Sequence, residues 1–129
     1  MPNPPQGTFC WTELLTRDRA SAAAFYTSLL GWNTSEMDMG PNGTYVTVTP
    51  MGEENAVGGM MEMKGPQFDQ VPTHWLPYIA VDDVDASAGR TGELGGDVIV
   101  PPTDIPNIGR FCVIKDPTGG VVALFKTAH

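Results

Sequence analysis

The chain repeats itself. A shift of 65 positions brings Leu14 onto Ile79, Thr16 onto Val81, Asp18 onto Asp83 and Gly31 onto Gly96. The same shift lays Val46-Thr47-Val48 on Phe111-Cys112-Val113 and Val57 on Val122. A side step of one residue matches Ala20-Ser21-Ala22 with Ala86-Ser87-Ala88. Few residues are identical, but elements of the same kind recur in the same order and spacing, as they do when one structural unit is used twice. With 129 residues the chain is one ordinary domain. The expectation is therefore a single domain over 1–129 made of two repeats, about 8–63 and 75–126, joined by a linker at 64–74.

Each repeat reads as strand, helix and three strands. Phe9 to Leu15 alternates as a strand does. Asp18 is placed to cap a helix running to Leu30, with apolar Ala22, Phe25, Tyr26, Leu29 and Leu30 at helical spacing. Gly31 stands where a left-handed residue ends a helix. Short strands are expected at 32–36, 44–49 and 56–63, separated by the turns Gly40-Pro41-Asn42-Gly43 and Pro50-Met51-Gly52. In the second repeat, 75–81 is a strand, Asp83 or Asp85 caps a helix ending near Leu94, and strands follow at 97–100, 110–115 and 120–126. Pro101-Pro102 to Gly109 reads as a loop at the mouth, a candidate lid. A βαβββ unit cannot bury its sheet face alone. Two of them predict an α+β fold with a curved eight-stranded mixed sheet, helices outside, and a concave face that is the natural ligand site.

Four segments carry a resemblance: Glu13 to Gly31 (ELLTRDRASAAAFYTSLLG), His74 to Asp85 (HWLPYIAVDDVD), Leu94 to Pro102 (LGGDVIVPP) and Gly109 to Phe125 (GRFCVIKDPTGGVVALF). Together they resemble the vicinal oxygen chelate superfamily, which includes glyoxalase I, extradiol dioxygenases and the fosfomycin and bleomycin resistance proteins. In metal-dependent members of that superfamily, two strand positions in each half supply ligands. Carried over, these positions are Trp11, Gly58, Leu76 and Ala123, and none offers a side chain that binds a hard or borderline metal. The only two histidines are His74 and His129, and His129 ends the given sequence, where fraying is expected. A zinc site of Cys112, His74 and Glu13 is imaginable, but no metal or other cofactor is expected.

Strand alternation then assigns the lining of the cup. If Trp11 faces inward, so do Glu13 and Leu15, and by the repeat Leu76, Tyr78 and Ala80. Met60, Ala123 and Phe125 are expected to join them from the last strand of each half, while Cys10 turns toward the helices. Glu13 and Tyr78, related by the repeat, are the candidate acid–base pair: desolvation makes a carboxylate a usable base, with a phenol as acid or oxyanion donor. The plainer reading is that Glu13 pairs with Arg110 or a backbone amide and Tyr78 packs. Trp11 and Trp75 offer aromatic surface to a ligand or pack in the core. Arg110 clamps an anionic ligand or pairs with nearby acids. His74 reads as a rim or capping residue.

The net charge of −8, with no basic stripe, argues against nucleic acid as a partner. It suits solubility or a cationic ligand. No apolar run approaches the roughly 20 residues of a membrane span, and Met1 to Gly7 has neither the basic nor the apolar region of a signal peptide. The default expectations are a cytoplasmic protein, two reduced thiols at Cys10 and Cys112, and a homodimer, as is common in the resembled superfamily. Three functions follow. The first is a protein that binds or sequesters an apolar, aromatic or cationic small molecule in a metal-free cup. The second is a metal-independent isomerase, lyase or hydrolase using Glu13 and Tyr78. The third, which the four substituted positions argue against, is a metal-dependent glyoxalase or dioxygenase.

Overall fold

The computed structural model describes residues 4–40 and 43–128. His129 and part of the turn at Pro41-Asn42 lie outside the described residues. The order of elements is β1 (Phe9–Thr16), α1 (Arg19–Leu30), β2 (Asn33–Asp38), β3 (Thr44–Thr49), β4 (Gly58–Glu62), β5 (His74–Ala80), α2 (Val84–Glu93), β6 (Asp97–Ile105), β7 (Gly109–Lys115) and β8 (Val121–Thr127). A short 3-10 turn at Pro66–Phe68 precedes β5. The strands form one eight-stranded mixed sheet in the order β2-β3-β4-β1-β5-β8-β7-β6. This is the expected α+β arrangement of two βαβββ modules. Among the described residues no helix is long and apolar enough to cross a membrane.

Both helices start and stop where local chemistry directs. Asp18 accepts a hydrogen bond from the Ser21 amide, and Asp83, rather than Asp85, accepts from the Ala86 amide, so each carboxylate satisfies an amide that the first turn leaves unpaired. Gly31 ends α1 in the left-handed conformation, with φ 72° and its amide bonded to the Thr27 carbonyl. Gly89 and Gly92 do not break α2; Val84, Ala88 and Thr91 hold its inner face against the sheet.

The chain divides into two compact units, Trp11–Trp75 and Leu76–His129, the latter together with Met1–Cys10. In the first unit, β1 and β4 run parallel and β3 pairs antiparallel with β4. Its core is Leu14, Val46, Val48 and Met60, packed against Ala22, Ala23 and Tyr26 of α1 and against Trp32. In the second unit, Val81, Val84, Ala88, Cys112 and Leu124 form the matching core beneath α2. Here β5 and β8 are parallel, β7 is antiparallel to β8, and the first residues of the chain join in, with Gly7 and Thr8 exchanging backbone hydrogen bonds with Ala80.

The expected loop after Val100 is strand instead. β6 continues through Pro101 and Pro102 to Ile105, with register shifts between Val98 and Val100 and between Val100 and Thr103. Proline cannot donate to a ladder, and an edge strand with bulges is where it is tolerated. Hydrogen-bonded pairing with β7 leaves most of this segment no freedom to act as a lid.

Met60 was expected on the ligand face and is fully buried in the α1-side core instead. Met60→Ala is expected to cost about 2–5 kcal/mol, the range for truncating a buried methionine. Urea unfolding followed by circular dichroism measures it, and a loss within error of zero would remove Met60 from the core.

Candidate functional site

The register between β1 and β4 decides which side chains share the face away from α1. Glu13 lies opposite Gly59, and Leu14 opposite Met60. Leu14 and Met60 point into the helix-side core, so Trp11, Glu13, Leu15, Gly59 and Met61 lie on the other face. The expected partner Gly58 therefore belongs to the helix side, and Gly59 takes its place. The offset between the repeats is not constant. Glu13 corresponds to Tyr78 at 65, but Gly59 corresponds to Ala123 at 64, since Tyr78 lies opposite Ala123 in the second unit. The connection between β3 and β4 (50–57) is longer than that between β7 and β8 (116–120), and a shift of one residue sends every side chain to the opposite face.

On this face of the first unit the polar groups are joined. The Trp11 Nε1–H donates to Tyr45 Oη at 2.9 Å, and the Glu13 carboxylate lies near the Tyr45 hydroxyl. Glu13 is 7% exposed. Trp11 and Tyr45 are half-buried. Burial, and then the Glu13 carboxylate beside it, push the Tyr45 hydroxyl well above the usual phenol range, so it stays protonated. A Cβ at Gly59 would collide with Oη, Cε2 and Cζ of Tyr45, so the glycine is what lets the ring lie there. Sequence reading missed Tyr45. The available signal was alternation in β3, which puts Tyr45 on the face opposite Val46 and Val48.

In the second unit the face away from α2 carries Leu76, Tyr78, Ala80, Ala123 and Phe125. Leu76, Tyr78, Ala80 and Ala123 are buried. Tyr78 meets Phe125 edge-on with ring centroids 6.1 Å apart. Tyr78 belongs to one unit and Glu13 to the other; within its own unit, Glu13 lies near the Tyr45 hydroxyl.

Two expected ligand residues sit elsewhere. Trp75 is edge-on to Tyr26 at 5.4 Å and to Trp32 at 6.4 Å, and its Nε1–H donates to Tyr26 Oη at 3.3 Å. It is therefore committed to α1 and not to the face of Trp11. Arg110 shares the helix-side face of β7 with Cys112. Its guanidinium takes the Asp85 carboxylate with Nε and Nη2, both at 2.8 Å, and Asp104 with Nη1 at 2.9 Å. The reading as an acid-paired arginine is the one the geometry supports. A cleft of about 480 Å³ lies beside this ion pair, lined by Asp82, Asp83, Asp104, Asn107 and Lys126 among others. It contains neither Tyr78 nor Phe125.

His74 bonds the Pro72 carbonyl through Nδ1 at 2.7 Å, a local turn contact. Cys10 and Cys112 are free thiols. Cys112 is buried beneath α2, and the half-buried Cys10 directs its Sγ to the Tyr78 carbonyl at 3.7 Å. Burial raises the thiol pKa of both.

The model of the Glyoxalase/Bleomycin resistance protein/Dioxygenase superfamily matches residues 8–124. The chain belongs to this superfamily. Its relatives include CFP32 of Mycobacterium bovis, which carries a provisional glyoxylase name, at 43% identity over 95% of this chain and 45% of that protein. Another is the anthracycline biosynthesis protein DnrV of Streptomyces peucetius, at 33% identity over 93% of this chain and 47% of that protein. The chain spans about half the length of these curated relatives. Among solved structures, the fold is similar to methylmalonyl-CoA epimerase of Mycobacterium tuberculosis, with a TM-score of 0.68 and 17% identity over 100% of this chain and 94% of that one. It is also similar to homoprotocatechuate 2,3-dioxygenase of B. fuscum, with a TM-score of 0.64 and 19% identity over 99% of this chain and 34% of that one.

Several members of this superfamily use a metal, so the donor set is the test. With the register corrected, the four positions hold Trp11 and Gly59 in the first unit and Leu76 and Ala123 in the second. An indole nitrogen that donates a proton, a glycine, a leucine and an alanine do not fit a divalent ion. Among the described residues no three His, Cys, Asp or Glu side chains come together in a way that could hold one.

Tyr45 sets a pH dependence whose sign follows from linkage. Its folded-state pKa is raised, so on going alkaline the unfolded chain releases this proton first. Stability from this residue is intact below the ordinary tyrosine pKa of about 10 and declines as pH rises beyond it. Tyr45→Phe is expected to flatten that alkaline decline, measured as the urea midpoint between neutral pH and pH 11. An unchanged slope would mean that Tyr45 ionises normally.

Proposed function

We propose that this superfamily member binds a small molecule without the metal that metal-dependent members of the superfamily use, taking an apolar, aromatic or cationic compound. The observation that carries this reading is the residue set at the four ligand positions: Trp11, Gly59, Leu76 and Ala123. Binding rather than chemistry is further supported by the aromatic side chains on these faces, Trp11 and Tyr45 in one unit and Tyr78 and Phe125 in the other. The name of DnrV supports an aromatic ligand, since anthracyclines are built on fused planar rings.

A second reading, a metal-independent isomerase, lyase or hydrolase, rests on Glu13. Its burial and the Tyr45 hydroxyl near it are what a candidate general base would need, with Tyr78 as the second candidate. If turnover of any compound is found, Glu13→Gln is expected to abolish it while the fold survives. Activity untouched by that change would exclude Glu13 as the base.

A homodimer is the proposed assembly. Phe25, Leu29 and Leu30 on α1 are 58%, 63% and 48% exposed, and no charged residue occurs from Ala20 to Ser35, a surface of the kind that a partner covers. Sedimentation velocity is expected to give the dimer mass and Leu29→Glu the monomer mass.

Metal analysis after dialysis is expected to find no stoichiometric divalent ion, and one retained equivalent would overturn the metal-free reading. A library of apolar, aromatic and cationic compounds screened by thermal shift is expected to yield stabilising ligands. A ligand at a hundred times its Kd adds about 2.7 kcal/mol to the native state. A screen in which such ligands are absent while metal-loaded protein turns over a substrate would favour the metal-dependent relatives' chemistry.

A further inference from the structure

We infer that Trp11, Tyr45 and Glu13 form a preorganised aromatic platform in the first unit whose ligand is a planar cationic ring. This deepens the binding reading above and rests on it.

The polar handles of both rings are used inward. An indole has one N–H, and that of Trp11 goes to Tyr45 Oη at 2.9 Å. The Tyr45 hydroxyl accepts that bond and has the Glu13 carboxylate near it. The hydrogen bond ties the two rings to each other, and both residues are half-buried rather than buried. Gly59 clears the backbone beneath Tyr45. Aromatic residues held in place before binding leave little rotamer freedom for the ligand to remove.

The charge arrangement selects the sign of the ligand. Ring faces are the negative end of the aromatic quadrupole, and the Glu13 carboxylate, 7% exposed, lies near the Tyr45 hydroxyl. Both attract a cation and repel an anion, and a net charge of −8 acts in the same direction over longer range.

The second repeat shows that this network is not a requirement of the fold. Glu13 and Trp11 correspond to Tyr78 and Leu76. Tyr45 corresponds to Phe111, since Val46 in the first core takes the place of Cys112 in the second. The matching positions of the second unit hold a phenol in place of the carboxylate, a phenylalanine in place of Tyr45 and a leucine in place of the indole, and there Tyr78 and Phe125 pack edge-on.

The test uses the whole chain and two planar tricyclic probes at one ionic strength: proflavine, a cation, and anthraquinone-2-sulfonate, an anion. Calorimetric titration is expected to show saturable proflavine binding, with the anion at least about ten-fold weaker, a ratio within the reach of cation–π and charge effects. Glu13→Gln is expected to reduce that preference to about three-fold or less, and Tyr45→Phe to weaken proflavine by about ten-fold. Trp75→Phe, remote from the platform, is expected to leave both affinities unchanged. The indole N–H resonance of Trp11 reports the hydrogen bond that ties the two rings together. Tyr45→Phe is expected to shift that resonance while those of Trp32 and Trp75 stay in place, and this readout stands even if Glu13→Gln fails to fold.

Proflavine binding with a cation preference that Glu13→Gln leaves unchanged would overturn the platform. So would two silent probes beside library compounds that raise the melting temperature, and in that case the broader binding reading would survive. If neither the probes nor any library compound binds, both readings fall together.

Discussion

The parallel pairing of β1 with β4 is the constraint on which the candidate site depends. It sets Leu14 beside Met60 on the side of α1 and Glu13 beside Gly59 on the other. Everything chemically distinctive in the first unit follows from that alignment. A glycine opposite the carboxylate leaves room for a ring, the ring of Tyr45 takes it, and its hydroxyl accepts from Trp11 with Glu13 nearby. In a register one residue away the glycine would turn to the helix side and a methionine would stand against Glu13.

The same alignment explains how a superfamily with metal-using members can include this chain. The sheet is retained, because its core of Leu14, Val46, Val48 and Met60 needs only apolar side chains of suitable volume beneath α1. The positions on the opposite face carry no such demand and are free to vary. Here they hold an indole and a glycine, and a neighbouring phenol fills the space between them. Fold and activity are therefore separable. The shared architecture says where a ligand would sit, and the side chains say what kind of contact it would meet.

Outside that face, the charged groups serve the scaffold. Arg110 is held by Asp85 and Asp104 at the start of α2, and exposed pairs of this kind contribute little to stability. Asp18 and Asp83 cap helices.

Much of this fold was legible in one dimension. The repeat, the aspartates that cap both helices, Gly31 and the alternating strands are local signals, and local signals survive without knowledge of what packs where. The four metal positions were legible as unable to ligate for the same reason, since residue type alone decides whether a side chain is a donor. What the sequence could not disclose was register. A constant offset of 65 placed Gly58 and Met60 on the ligand face, but the offset is 64 at β4, and only pairing with β1 reveals it. Trp75, Arg110 and Tyr45 share this cause. Whether an aromatic or a guanidinium meets ligand, acid or neighbouring ring depends on which strand lies alongside, and that is settled by hydrogen bonds between residues far apart in the chain.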